Sequence, residues 1–402
     1  MISKNSSANK KRIPYGRQSI AAEDIRAVVK VLKSDWLTQG PTIRRFEEAF
    51  AKYCGAPYAV AVSNGTAGLH LAALAAGFKK GDEVLTSPMT FAATANAALY
   101  TGADVVFSDV EPHFIGLNPA SIQRPVSQKT RGIINVHFGG HPSRIGSKNT
   151  LSPRKDFYLI EDSCHALGAE VRAHGTAWKK IGSCDEADMS VFSFHPVKHI
   201  TTGEGGMITT RRKDLYEKIL LLRSHGIEKN TGRFVDKTGK NKPWHYEMQA
   251  LGFNYRITDF QCALGLSQLD RLDEMVAKRR GIAAFYQKAL KNIEFLRVPE
   301  ESVDSRSSYH LYPVRIDFKK LKKTREEIMK ALSAQGIGTQ VHYIPVILQP
   351  YYRERYHLKL SDYPECARYY DQTLSIPMFP SMTKADQQRV VRALELVLRK
   401  HA

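Results

Sequence analysis

The sequence predicts an α/β protein in which a mixed, mostly parallel β-sheet lies between helices. An apolar strand at 59–63 passes through glycine and threonine into a small-residue helix at 66–76, and this order is typical of α/β folds. Further strand-length apolar runs follow, many separated by helical or loop sequence, which favours buried strands joined by crossovers. After about Arg271 charged helical segments dominate, which predicts a smaller C-terminal α+β domain.

Each domain has its own predicted elements. The first contains an amphipathic helix from about Ile43 and strands at 59–63, 83–88, 104–110, 132–138, 157–162, 189–194 and 206–210. The second contains helices at 273–292, 324–337 and 384–400 and strands at 310–316 and 339–345. The stretch 228–246 lacks periodicity and is predicted to be a long surface loop. We divide the chain into an N-terminal arm (1–40), a large domain (41–270) and a small domain (271–402).

Composition excludes several classes of protein. The 402 residues are 43% hydrophobic and 25% charged, as in globular proteins. The five cysteines form no C-x-x-C pair, which argues against a disulfide or zinc framework, and we expect no metal. No apolar run approaches the roughly 20 residues of a membrane-spanning helix. The N-terminus lacks the apolar region of a secretory signal, so we expect a cytoplasmic protein with no membrane partner.

The net charge of +19 leaves two further interpretations besides a solvated basic surface. It could attract nucleic acid or phosphorylated small molecules. A nucleic-acid-binding protein would bind DNA or RNA with a steep salt dependence. The sequence shows no helix-turn-helix, zinc-finger or RNA-binding aromatic motif, so we expect no nucleic-acid partner.

Three groups of residues indicate chemistry. Ser63–Gly68 lies between a strand and a helix, where free N–H groups and a hydroxyl can bind phosphate. The alternative is that this Gly-Thr turn is an ordinary helix start. Asp162 ends an apolar strand, where α/β proteins place ligands; a helix cap or a metal site with His165 are the alternatives. Lys198 follows another strand and precedes a Gly-rich turn, and a buried lysine becomes a nucleophile.

Together these groups supply the parts needed to hold pyridoxal phosphate (PLP). The cup would take the phosphate, the lysine would bond the aldehyde, and the carboxylate would keep the pyridine nitrogen protonated.

The chain resembles the DegT/DnrJ/EryC1/StrS sugar aminotransferases from about Tyr15 to its C-terminal region. The resemblance rests on the segments SNGTAGLHLA, TSPMTFAATANAALYTGADVVFSDV, IEDSCHALGA, SVFSFHPVKHITTGEGGMITT and GFNYRITDFQCALGLSQL. It implies a PLP-dependent transferase of fold type I, like aspartate aminotransferase. It also implies a homodimer with shared active sites, in which Asn254 and Arg256 reach the cofactor of the neighbouring subunit.

The resemblance also implies the other roles of the site residues. Lys198 would be the Schiff-base lysine and Asp162 the partner of the pyridinium nitrogen. The remaining cofactor contacts would be the phosphate cup (Thr66, Ala67 and Ser193), the aromatic ring over the cofactor (Phe91), and a residue near its hydroxyl that some relatives replace with glutamine (His165).

The segments SDWLTQGP, LRSHGI, SYHLYPV and GTQVHYIPV are similar to those of the transaminases of pseudaminic acid biosynthesis. This similarity implies transfer of the amino group of L-glutamate to C4 of a UDP-linked 4-keto sugar, giving UDP-4-amino-4,6-dideoxy-N-acetyl-β-L-altrosamine. An aminotransferase for another UDP- or dTDP-4-keto-6-deoxy sugar is an alternative. So is a sugar dehydratase, although such relatives have histidine at the position of Lys198. Candidate contacts for the nucleotide sugar are Arg223, His225, His310, His342 and Tyr343.

Overall fold

A computed structural model describes residues 12–122, 126–172, 177–236 and 242–399. Several predictions extend beyond these ranges. The parts that lie outside the described residues are 1–11 of the N-terminal arm, 123–125, 173–176 and 237–241 of the large domain, the last of them in the loop 228–246, and 400–402 of the small domain, with residue 400 at the end of the last predicted helix.

The strands of the described residues are β1 (Tyr58–Val62), β2 (Glu83–Thr86), β3 (Asp104–Phe107), β4 (Thr130–Val136), β5 (Tyr158–Asp162), β6 (Glu170–Arg172), β7 (Trp178–Lys180), β8 (Met189–Ser193), β9 (Gly206–Thr210), β10 (Ile227–Glu228), β11 (Glu247–Met248), β12 (Leu296–Arg297), β13 (Ser305–Arg306), β14 (Tyr312–Ile316) and β15 (Thr373–Ile376). The α-helices are α1 (Ala22–Leu32), α2 (Pro41–Cys54), α3 (Gly65–Ala75), α4 (Ala92–Leu99), α5 (Pro119–Ile122), α6 (Lys148–Leu151), α7 (Lys213–Arg223), α8 (Asp259–Leu269), α9 (Leu272–Leu290), α10 (Phe318–Leu321), α11 (Arg325–Ala334), α12 (Pro350–Tyr356), α13 (Pro364–Gln372) and α14 (Lys384–Leu398).

Seven strands form the central sheet, in the order β1-β9-β8-β5-β4-β2-β3. The neighbours from β8 to β3 are parallel, whereas β9 is antiparallel to both β1 and β8. Each of the seven apolar runs predicted for the large domain overlaps one of these strands, although β1 and β4 begin one and two residues before their runs. The predicted α/β fold with a mixed, mostly parallel sheet is therefore confirmed.

Helices cover both faces of this sheet. In β1, Val60 and Val62 belong to a core shared with α3, α4 and α7. Ala59 and Ala61 point to the opposite face and belong to a core shared with α2, α8 and α9. This alternation follows from the two-residue period of a strand. Because both faces are filled, a ligand must bind at the carboxyl ends of the strands, in the loops that follow them.

A separate core lies in the C-terminal part of the chain. The antiparallel sheet β12-β14-β15 buries Tyr312, Val314 and Ile316 against α9, α11 and α14. The strand predicted at 339–345 is wrong. Only an isolated bridge joins Gln340 to Ser375 at the outer edge of β15, because the chain then leaves this edge and the Tyr343 N–H donates to Met89 Sδ at 3.3 Å.

The N-terminal segment contacts both parts of the molecule. Ile13 N–H donates to the Gly336 oxygen at 2.9 Å, and Gly338 N–H donates to the Ile13 oxygen at 2.8 Å. Further on, α1 packs on α8, and Asp24 accepts a bond from Ser267 at 2.7 Å. The division of the chain at residues 40 and 270 stays a prediction.

Candidate active site

A cavity of about 920 Å³ opens where the loops after β1, β5 and β8 meet residues 340–346. It brings together most of the residues that the sequence suggested, although they lie far apart in the chain. The predicted residues that line it are Thr66, Ala67, Phe91, Asp162, His165, Ser193, Lys198, His310, His342 and Tyr343.

The amino end of α3 forms an anion cup on one side of the cavity. Asn64 caps this helix, and its Oδ1 accepts the Ala67 N–H at 2.8 Å. The N–H groups of Gly65 and Thr66 have no acceptor among the described residues. A Cβ atom at Gly65 would lie 3.0 Å from Ser193 Cβ, so a small residue keeps the cup open. Free N–H groups at the positive end of a helix, with the Ser193 hydroxyl nearby, fit a phosphate group.

Asp162 ends β5, and its side chain is fixed by hydrogen bonds. Its Oδ2 accepts the Thr94 hydroxyl at 2.7 Å, and its Oδ1 accepts the Cys164 N–H at 3.2 Å. Thr90 lies 2.7 Å from the Thr94 oxygen. Since Thr94 uses its single proton on Asp162, Thr90 is the donor in that contact. Each carboxylate oxygen keeps a lone pair. Asp162 can therefore accept a hydrogen bond from a protonated ring nitrogen in the cavity.

Lys198 follows β8 in a tight turn, where its N–H donates to the His195 oxygen at 2.9 Å. Burial lowers the pKa of the Lys198 amine, while the nearby Cys164 and Asp162 act in the opposite direction. A lowered pKa leaves more of the amine unprotonated, which suits a nucleophile and a base. Lys198 and Asp162 line the same cavity.

Buried histidines surround the lysine. Burial and the charge of Lys198 hold the pKa of His165 and of His310 well below the usual value for histidine. The same two causes lower the pKa of His342 to about 4, and its Nδ1 lies 2.8 Å from Ser375 Oγ. At neutral pH these rings are therefore uncharged, so they contribute no positive charge beside Lys198.

Aromatic rings also line the cavity. Phe91 is 59% exposed, and its ring centroid lies 6.0 Å from that of Tyr343. An exposed aromatic face on the cavity wall can stack on a flat heterocycle. The phosphate cup, the carboxylate, the lysine and this ring together fit the requirements of PLP.

The cavity lacks four predicted residues. Arg223 donates to Glu47 Oε1 at 2.6 Å and to the Ala61 oxygen at 2.7 Å. It lines a separate cavity of about 230 Å³ together with Arg256. The remaining two, His225 and Asn254, are exposed on the single chain.

Several residues that line the cavity or hold its groups were not predicted from the sequence. Thr94 holds Asp162 but lies in the first turn of the small-residue helix α4, and only its polarity within that helix could have suggested a role. Further cavity residues that were not singled out are Tyr15, His70, Tyr255 and Gln340.

The described residues contain no group of three or more histidine, cysteine or acidic side chains arranged to hold a metal ion. Among these same residues, no helix is both long and apolar enough to cross a lipid bilayer.

Comparisons with known proteins give consistent matches over most of the chain. The profile of the DegT/DnrJ/EryC1/StrS aminotransferase family matches residues 18–395. The spore coat polysaccharide biosynthesis protein SpsC of Bacillus subtilis is 38% identical over 388 residues, covering 96% of this chain and 97% of that protein. An uncharacterised protein of Methanocaldococcus jannaschii, MJ1066, is 38% identical over 386 residues, covering 96% of this chain and 97% of that protein.

Solved structures resemble the fold over the same length. Helicobacter pylori PseC, an aminotransferase involved in the biosynthesis of pseudaminic acid, has a TM-score of 0.86 and 28% identity. The match covers 96% of this chain and 99% of that one.

Proposed function

Because the chain belongs to the DegT/DnrJ/EryC1/StrS aminotransferase family, we propose that it transfers the amino group of L-glutamate to C4 of a UDP-linked 4-keto-6-deoxy-N-acetylhexosamine. The product would be UDP-4-amino-4,6-dideoxy-N-acetyl-β-L-altrosamine, an intermediate of pseudaminic acid biosynthesis. The coarser assignment follows from the family itself: the protein is a PLP-dependent sugar aminotransferase.

The observation that carries the proposal is that Lys198, Asp162 and the amino end of α3 line one cavity. When bound, PLP supplies an aldehyde that condenses with amines and a ring that accepts an electron pair. Gly65, Thr66 and Ser193 would hold its phosphate. Asp162, fixed by Thr94, would keep a proton on its ring nitrogen.

Lys198 would serve as the covalent anchor and then as the acid and base. Its amine would take the proton from the α-carbon of glutamate in the first half of the cycle. In the second half it would move a proton to C4 of the sugar. Both tasks require an amine that is partly unprotonated near neutral pH, and burial lowers the pKa of Lys198 in that direction.

The choice of sugar rests on similarity to PseC and on the predicted contacts His310, His342 and Tyr343 that line the cavity. The two buried histidines bring neutral polar groups to a wall that also contains aromatic rings. A mixed wall of this kind suits a sugar, which offers hydroxyl groups for hydrogen bonds and C–H faces for packing.

We propose that the active protein is a homodimer with shared sites. In the single chain, Asn254 is exposed and Arg256 lies outside the main cavity, so both can reach a second subunit. Helix α1 exposes Ile25, Val29 and Leu32, which lie on one face at helical spacing. An exposed apolar stripe of this kind favours contact with another copy of the chain.

The test is to incubate the purified protein with L-glutamate and a panel of UDP- and dTDP-linked 4-keto sugars. We expect 2-oxoglutarate and a 4-amino sugar, identified by mass and NMR, with the UDP-linked 4-keto-6-deoxy-N-acetylhexosamine as the preferred substrate. Preference for a dTDP sugar would contradict the proposed substrate. Sugar conversion without 2-oxoglutarate would contradict transamination.

A further inference from the structure

Tyr343 and His165 form a hydrogen-bonded pair on the wall of the cavity that also contains Lys198. The Tyr343 hydroxyl lies 3.0 Å from His165 Nε2. The two ring planes differ by 21°, with centroids 6.0 Å apart. The contact has a direction, because only one of the two atoms can donate at a time.

The backbone of Gly139 sets that direction. Its N–H donates to His165 Nδ1 at 3.3 Å, so this nitrogen must offer a lone pair. Burial and the nearby Lys198 and His342 hold the pKa of His165 well below its usual value, so the ring is neutral and has one proton. We assign that proton to Nε2, which therefore donates to the Tyr343 oxygen.

The proton of the Tyr343 hydroxyl is then free for another partner. Among the described residues, this hydroxyl makes no other hydrogen bond. Burial and then the negative charge of Asp162 raise the pKa of Tyr343, so the hydroxyl keeps its proton at neutral pH.

We infer that the Tyr343 hydroxyl donates a hydrogen bond to an oxygen at the reacting centre, and that His165 is the positioning residue that keeps it a donor. The inference rests on the proposed function and deepens it. Two oxygens have the required chemistry: the ring hydroxyl oxygen of PLP and an oxygen of the sugar. A donor of this kind stabilises negative charge that develops on its acceptor.

Three variants separate this role from simple packing. Tyr343→Phe removes the donor and keeps the ring. His165→Gln keeps an acceptor for the Gly139 N–H and a donor toward Tyr343, whereas His165→Leu keeps neither. Tyr286→Phe is the matched control, because Tyr286 is a buried tyrosine whose hydroxyl donates to the Pro377 oxygen at 3.0 Å in the C-terminal core.

Two measurements identify the acceptor. The first is the pH titration of the visible absorbance of the PLP-loaded protein without substrates. The second is the rate of each half-reaction, measured separately with glutamate and with the 4-keto sugar that the panel identifies. If the acceptor is the cofactor oxygen, Tyr343→Phe and His165→Leu shift the absorbance titration upward by about one pH unit or more.

If the acceptor belongs to the sugar, the titration stays unchanged and the sugar half-reaction slows by about tenfold or more, while the glutamate half-reaction does not. In both cases His165→Gln should be less impaired than His165→Leu, because it keeps the donor toward Tyr343. The inference is overturned if Tyr343→Phe matches Tyr286→Phe in both measurements, or if His165→Gln is as impaired as His165→Leu. A protein that binds PLP but converts no 4-keto sugar refutes the proposed substrate instead, and leaves the absorbance measurement valid.

Discussion

The Thr94 hydroxyl donates to Asp162 Oδ2 at 2.7 Å and so connects helix α4 to the carboxyl end of β5. This bond fixes the carboxylate on which the proposed electron-accepting role depends. Thr90 supports Thr94 from the other side, so three polar side chains buried below 10% exposure act as one unit.

This relationship predicts graded effects of substitution. Asp162→Asn should lower kcat by at least about tenfold with little change in KM for the sugar, because the ring proton matters in the transition state. Thr94→Val should lower kcat by roughly two- to tenfold, and Thr94→Ser should restore it. Steady-state kinetics provide the measurement.

Thr101→Val is the control for the threonine variants, because Thr101 donates to the Ala98 oxygen at 2.7 Å at the end of the same helix and does not line the cavity. An unchanged kcat in Asp162→Asn would contradict the proposed role of the carboxylate.

Lys198→Ala should abolish turnover and the visible absorbance of the bound cofactor, while the circular dichroism spectrum stays that of the folded protein. Lys198→Arg should do the same, since a guanidinium stays protonated and cannot act as a nucleophile. The control is Lys218→Ala, which removes an amine on α7 that donates a hydrogen bond to the Ala75 oxygen. Glutamate-dependent turnover in Lys198→Ala would refute the assignment.

The central sheet and the positions of Asp162 and Lys198 could be predicted from the sequence because they depend on local patterns. Short apolar runs predict strands, and a polar residue directly after such a run lies at the strand end, as Asp162 does. Thr94 could not be found in this way, because its role depends on how α4 packs beside β5. Likewise, the run at 339–345 was misassigned, because its pattern resembles that of a strand whereas the fold uses residues 340–344 to line the cavity.

Arg223 illustrates the same limit in a charged residue. Its side chain is 14% exposed and that of its partner Glu47 is 11% exposed, and the two lie 176 residues apart in the chain. The resemblance of the LRSHGI segment to the sugar transaminases suggested a contact with the substrate, whereas the fold pairs this guanidinium with a buried carboxylate.

Arg223→Met should therefore reduce stability, because it leaves the Glu47 carboxylate buried without its partner. We expect a loss of about 3 kcal/mol, measured as a lower urea midpoint at fixed protein concentration with an unchanged m-value. The double variant Glu47→Gln with Arg223→Met should recover part of the loss. A large rise in KM for the sugar at unchanged stability would instead support the predicted substrate contact.

Stability should also fall in acid because of His141. Burial and the nearby His137 lower the pKa of His141 to about 4, and its ring stacks on Phe114 at 4.4 Å. Between about pH 6.5 and pH 4 the unfolded chain binds a proton at this position that the folded chain does not. The free energy of unfolding therefore decreases as the pH falls through this range, by about 2–3 kcal/mol for this one group.

His141→Gln should make the free energy of unfolding less steep between pH 6.5 and pH 4 by about one proton. Urea titrations at several pH values measure this slope. An identical slope in the variant would show that His141 does not contribute to the acid sensitivity.

Mixed dimers should distinguish a shared site from a site built within one subunit. Lys198→Ala and Arg256→Ala should each be inactive alone. If Arg256 serves the cavity of the partner, a mixed dimer has one site with both residues intact and one with neither. Random exchange at equal concentrations should then restore about a quarter of the wild-type activity, since half of the dimers are mixed and each has one working site. If Arg256 serves its own cavity, every site in the mixture lacks one residue and activity stays absent.

Lys198→Ala mixed with Asp162→Ala provides the control, because both residues line the same cavity of one chain and their mixture should gain no activity.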